Sequence, residues 1–246
     1  MENLKEILFI DIETVPVQPD FNFLTAAMQA EWTRKSKSIK SAPESDTDPA
    51  FLFNNRAGIY SEFAKVVCIG FGSLIQQGDS WKMRLKSLVN DNEHTLLTDF
   101  CDMLVKFNTL HRDMKFCGHN IKEFDIPFLC RRMVINNIAL PQPMQMMGKK
   151  PWEVTHLDTM EMWRFGDFKN YTSLSLLAAV FDIPSPKSDM DGSMVGSAYW
   201  HDNDLARIGS YCLQDVLTSA KVYLRLKGIQ GIEIEPVFVE KGADQL

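Results

Sequence analysis

The spacing of apolar positions changes several times along the chain, and each change marks an element. Residues 6–12, Glu-Ile-Leu-Phe-Ile-Asp-Ile, are nearly continuously apolar, as a strand buried on both faces of a sheet should be. Thr14-Val15-Pro16 and Pro19 end it, because proline cannot donate to a ladder. A second run at 65–72 predicts another central strand, Gln76-Gln77-Gly78-Asp79 a turn, and the alternation over 80–85 a third strand with one exposed face. The short links among these three predict antiparallel pairing.

Helical spacing then takes over. Leu96, Leu97, Phe100, Cys101, Leu104 and Phe107 form one stripe over 92–107. Residues 115–119 predict a short fourth strand. A helix over 126–134 follows, with Asp125 as its cap, Pro127 in its first turn and Phe124 and Leu129 stapling its entry. Residues 154–159 read as a fifth strand, 173–180 as a short helix and 204–226 as a long one. The tail at 232–239 fits a strand or an extended arm. Residues 20–62 are the least regular: 23–35 fit a helix capped by Asn22 or Asp20, and the polar 36–49 stretch reads as a loop able to cover a substrate channel. The sum is a mixed α/β sheet of five strands, the first three antiparallel, with helices on both faces.

Composition refines this picture. At 246 residues, 45% hydrophobic and 24% charged, the chain can bury a full core as one domain, 1–246, with an irregular insertion at about 20–62 and a tail at about 228–246. The net charge of -6 argues against bulk attraction to nucleic acid but leaves room for local cationic patches. Candidates are Arg34-Lys35-Ser36-Lys37 with Lys40, the Arg131-Arg132 pair and Lys149-Lys150. The five cysteines are widely spaced without a CxxC pair and read as buried, reduced thiols. A basic-then-apolar leader and a membrane-length apolar window are both missing, so the expectation is a soluble, cytoplasmic protein with no membrane partner.

The candidate chemistry lies in carboxylates. Asp11 and Glu13 are two apart on a strand and point to one face. Asp11 sits between Ile10 and Ile12, where an unpaired buried carboxylate is costly, and a metal or a strong hydrogen-bond network would relieve it. Asn120 and Asp125 follow a strand and open a helix; Asp125 serves there as an N-cap, as a ligand facing the cleft, or as both. Tyr211 and Asp215, i and i+4, share a helix face. Four acids brought together require cations, and hard oxygen donors suit Mg²⁺ or Mn²⁺, two ions about 3.5–4 Å apart bridging a scissile phosphate. Asp11 is the natural bridge, with Glu13 and Asp215 on the nucleophile side and Asp125 on the leaving-group side.

The set Asp11-x-Glu13, Asn120-x-x-x-Phe124-Asp125 and Tyr211-x-x-x-Asp215 resembles the DEDD superfamily of 3′–5′ exonucleases, in the branch with tyrosine in its last motif. It is most similar to the proofreading exonuclease domain of family B DNA polymerases and to stand-alone bacterial proteins like it. Phe9-Ile10-Asp11-Ile12-Glu13-Thr14, Gly118-His119-Asn120 and Lys187-Ser188-Asp189-Met190-Asp191-Gly192 look like that subgroup, over about residues 5–226. The resemblance implies a ribonuclease H-like fold and hydrolysis of single-stranded or frayed 3′ ends to mononucleotides. It implies metal ligation by Asp11, Glu13, Asp125 and Asp215, and a hydrogen bond from Tyr211 to the nucleophilic water. Thr14, Asn120, Phe124 and Lys187 become candidate substrate contacts. A tyrosine with a reference pKa of about 10 is a poor base near neutrality, so orienting water is its expected role. DNA is the expected substrate, with RNA possible and a DNA polymerase or repair protein as a possible partner. An exoribonuclease of the same fold and an inactive nucleic-acid-binding module are the alternatives.

Overall fold

The computed structural model describes residues 3–39, 48–78, 80–167, 169, 171–184 and 190–239. In chain order the regular elements are β1 (Ile7–Pro16), α1 (Ala26–Ser36), α2 (Pro49–Arg56), β2 (Ala64–Gln77), β3 (Ser80–Val89), α3 (Glu93–Leu110) and β4 (Lys115–Gly118). They continue with α4 (Asp125–Ile135), β5 (Leu157–Asp158), α5 (Thr159–Arg164), α6 (Leu174–Val180), α7 (Val195–Trp200), α8 (Leu205–Leu226) and β6 (Ile234–Phe238). The sheet order is β5-β4-β1-β2-β3-β6. Strands β1, β2 and β3 pair antiparallel, while β4, β5 and β6 join parallel, a mixed sheet of ribonuclease H-like form.

Strand β1 is central because its apolar residues serve both faces. Leu8, Ile10 and Ile12 pack with α3 and α4, and Ile7 and Phe9 pack with α8. Asp11 and Glu13 share the parity of Phe9 and therefore lie on the α8 face. Helix α8 comes close to the sheet there because Asp11 pairs with Gly70 across the ladder. A Cβ on Gly70 would lie 2.7 Å from Cys212 Sγ, so only glycine leaves room for the helix.

Several elements differ from the sequence expectations. The tail forms a sixth strand, β6, parallel to β3, and β5 is cut from six residues to two. His156, inside the expected β5, instead takes the Phe116 N–H on Nδ1 and meets the Pro143 carbonyl through Nε2. The 20–62 stretch contains more order than its sequence suggests. Helix α1 starts at Ala26 with Thr25 as its cap, behind a short 3-10 turn at Phe21–Phe23 capped by Asp20. Helices α1 and α2 close a small core around Trp32, whose indole donates to the Pro49 carbonyl at 2.7 Å and whose ring sits 4.9 Å from Phe63. Residues 40–47, within the expected channel-covering loop, lie outside the described residues. Among the described residues, no helix is long and apolar enough to cross a membrane.

Candidate metal centre

Three elements meet around Asp11–Glu13 of β1. Strand β1 supplies Asp11 and Glu13, the start of α4 supplies Asp125, and α8 supplies Tyr211, Cys212 and Asp215. Asp125 is not the N-cap of its helix. The helix begins at Asp125 after Phe124, and the Asp125 carboxylate accepts the Ile12 N–H at 3.1 Å, tying α4 to β1. The cap reading fails because this carboxylate accepts from the Ile12 amide of the sheet and from its own N–H, while the Ile126 and Phe128 amides donate to the Ile121 and Phe124 carbonyls.

Burial raises the pKa of Asp11 well above the carboxylate range, and Glu13, Asp125 and Asp215 raise it further by repulsion. Glu13 is raised by burial and then by Asp215 and Asp125. Burial lifts Asp125 to about 7 against the bonds from its own N–H and that of Ile12, with Asp158 adding to the rise. Burial lifts Asp215 to about 6, and a hydrogen bond from the Tyr211 hydroxyl opposes the shift. Burial and the neighbouring acids push the Tyr211 phenol far upward, so it stays a protonated donor at neutral pH.

Asp11, Glu13 and Cys212 bring ligand atoms within 4.8 Å of one another, a cluster able to hold a metal ion. The Cys212 thiol lies 3.4 Å from both the Asp11 carbonyl and Asp11 Oδ2, and burial keeps it protonated. A thiol in that state is a donor to Asp11, while the carboxylate oxygens are the hard ligands.

Asp11 and Asp215 line a cleft of about 440 Å³, walled also by His119, Tyr171, Met190 and Tyr211. His119 meets the Thr172 carbonyl through Nε2 at 2.8 Å and the Thr159 hydroxyl through Nδ1 at 2.9 Å, and burial lowers its pKa. Both ring nitrogens are engaged, which leaves it a positioning residue. Asp158 holds the loop between β4 and α4, accepting from the Asn120 and Lys122 N–H groups at 3.0 Å each. That grip fixes Asn120 at φ 65°, with its Oδ1 buried and accepting no hydrogen bond among the described residues.

A protein-family model described as a predicted 3′–5′ exonuclease related to the exonuclease domain of PolB matches residues 59–240. The chain belongs to this family. Membership supports nuclease activity and interaction with nucleic acid. A comparison with curated proteins found no match. The matched span of the exonuclease family contains Asn120, Asp125, Tyr211 and Asp215 but starts after Asp11 and Glu13. The fold brings these first two acids against the α8 segment of that span, within 4.8 Å of Cys212, and Asp125 and Asp215 lie close enough to raise the pKa of both.

Other expected contacts are more scattered. The Thr14 hydroxyl donates to the Gly58 carbonyl at 2.7 Å. Phe124 is half-buried with its ring 5.3 Å from Phe128, which makes it chiefly a packing residue. Lys187 lies outside the described residues. Arg132, expected in a surface patch, is buried against Glu93. Sequence reasoning missed Cys212, Asp158 and Tyr171 as parts of the site. Cys212 reads as one more apolar position of α8, Asp158 as a strand residue, and Tyr171 stands in a stretch with no periodic signal.

Proposed function

We propose that the protein is a two-metal 3′–5′ exonuclease, acting on single-stranded or frayed DNA ends and releasing mononucleotides, with the chain as one catalytic domain. The observation that carries this reading is the buried cluster of Asp11, Glu13 and Cys212, within 4.8 Å of one another in a chain of the PolB-related exonuclease family, with Asp125 and Asp215 near enough to raise the Asp11 pKa. The donor set fits divalent cations: buried oxygens of like charge, with no ion pair to a Lys or Arg among the described residues. Asp11, Glu13, Asp125 and Asp215 would hold the ions. Mg²⁺ or Mn²⁺ bound there would lower the pKa of the attacking water and neutralise charge on the leaving 3′ oxygen.

The residues of the chain supply the remaining steps. Tyr211 donates to Asp215 and keeps an oxygen lone pair that can accept from the attacking water and orient it. Proton abstraction by Tyr211 is disfavoured because its pKa is raised. Asn120 Oδ1 accepts no hydrogen bond among the described residues, and a hydroxyl of the terminal sugar can provide one. Burial of the cleft strengthens each of these interactions.

Purified protein with Mn²⁺ and end-labelled single strands tests the reading. A 3′ label should leave as a mononucleotide, and a 5′ label should give a ladder shortening from the 3′ end, with DNA consumed faster than RNA of matched sequence. Equal or faster loss of RNA would turn the assignment to an exoribonuclease. Intact ends at a dose where a known exonuclease works would make the chain a binding module.

A further inference from the structure

Away from the acids, cations gather along the β5 edge of the sheet. A groove of about 520 Å³ beside the start of β4 is walled by Arg112, Lys115 and Lys149 against a single acid, Asp113. His156 in its wall adds no charge near neutrality, since burial lowers its pKa to about 4. In a chain of net charge -6, a concave site with three cations and one acid stands apart from the average surface.

A second groove of about 400 Å³ continues from the first, with Met146, Lys149 and Val154 lining both. It adds Lys122 and Arg164, which pair with Glu161 at 2.6 Å and Glu123 at 2.9 Å, so this stretch is nearly balanced in charge. Its wall includes Asp158, the carboxylate that holds the Asn120 loop and raises the pKa of Asp125. Trp152, 76% exposed, follows Pro151 of the groove wall, and its ring lies 5.2 Å from the Lys150 ammonium.

We propose that the two grooves form one track for a single nucleic-acid strand, with the cationic end gripping its phosphodiester backbone upstream of the terminal nucleotide. This rests on the exonuclease reading and extends it. Four clustered acids repel a polyanion, so a strand entering the cleft gains from an anchor outside it. Strand β4 runs from Lys115 at the outer groove to Gly118 before the Asn120 loop, about 10 Å, which places the anchor beyond the scissile phosphate. Trp152 offers an exposed face for base stacking, which tolerates any sequence.

The test compares wild type with an Arg112→Glu/Lys149→Glu variant, neither residue belonging to the metal centre. Fluorescence anisotropy in EDTA measures binding of a labelled single strand of about 20 nucleotides, and cleavage with Mn²⁺ is measured on that strand and on a dinucleotide. Charge reversal should weaken binding of the long strand at least about tenfold and reduce its log–log salt slope by roughly 1.4, two single-strand phosphate contacts. Dinucleotide cleavage should stay within about twofold of wild type. Long-strand affinity equal to wild type would overturn the track, and so would equal loss on both substrates, which would locate the damage in the cleft or the fold. If wild type cleaves neither substrate, the exonuclease reading fails while the binding comparison in EDTA still decides the track.

Discussion

On the α3–α4 side, Glu93 is buried with Arg132 donating to it at 2.9 and 2.6 Å, the Val66 N–H at 2.8 Å and Asn136 Nδ2 at 2.9 Å. Arg132 also donates to the Ser61 carbonyl at 2.8 Å, so this one pair links α3, α4, β2 and the turn before β2. Asp11, Glu13, Asp125 and Asp215, by contrast, have no ion pair to Lys or Arg among the described residues, and each is raised in pKa by burial. A carboxylate with a fixed guanidinium is part of the scaffold. Carboxylates without one keep their charge in a dry site only when mobile cations join them, which is what a metal-dependent nuclease needs.

The sharpest break of this contrast is a pair of variants. Asp11→Asn should lower kcat by at least about a thousandfold if, as proposed, Asp11 holds the metal ions. Its melting temperature without divalent ions should equal or exceed that of wild type, because one repelling charge is gone. Arg132→Met should do the reverse. It leaves Glu93 buried and unpaired, a loss of about 3–5 kcal/mol, and at about 2–4 °C per kcal/mol for a chain of this size the melting temperature should fall by roughly 6–20 °C. Its activity per folded molecule should stay within a few-fold of wild type. An Asp11→Asn protein as unstable as Arg132→Met would mean that both carboxylate groups are structural.

A smaller effect should appear in the pH dependence of stability. Asp125 and Asp215 have folded pKa values of about 7 and about 6, above the unfolded carboxylate value of about 3.9. A raised folded pKa means that the protonated form is favoured by folding. Its contribution is fully present below the unfolded value and is lost as pH rises through about 6 and then about 7. Without divalent ions, melting temperature should therefore fall more steeply between pH 5 and 8 in wild type than in an Asp125→Asn/Asp215→Asn variant. Mn²⁺ should raise the wild-type melting temperature more at pH 8 than at pH 5. Parallel curves for the two proteins, with no response to Mn²⁺, would remove the electrostatic basis of the metal centre.

The sequence revealed what depends on local order. An acid breaking an apolar run marked Asp11, and a 22-residue amphipathic helix placed Tyr211 and Asp215 on one face. Helices α2, α5 and α7 are six to eight residues long, too short for a repeating stripe to stand out. Partners distant in the chain were invisible. Arg132 looked like half of a surface patch because Glu93 lies 39 residues away, and Asp125 looked like a cap because its acceptor role is set by the Ile12 amide, 113 residues away. β6 likewise becomes a strand only through its parallel pairing with β3.

Cys212 gives the smallest expected effect and the finest test of what the α8 face is for. It belongs by proximity to the cluster of Asp11 and Glu13, yet its thiol is held protonated by burial and lies within donor reach of Asp11 at 3.4 Å. If it only steadies Asp11, Cys212→Ala loses one weak hydrogen bond and some packing against β2. Activity should then fall no more than about threefold, with the Mg²⁺ concentration for half-maximal rate unchanged. A thiolate ligand would behave differently: soft sulfur favours softer ions, so its loss would shift metal preference from Zn²⁺ or Cd²⁺ toward Mg²⁺. A large change in the metal midpoint or in that preference would make Cys212 part of the coordination sphere. An unchanged midpoint would leave the oxygens alone to hold the ions, with sulfur as the neutral strut between strand and helix.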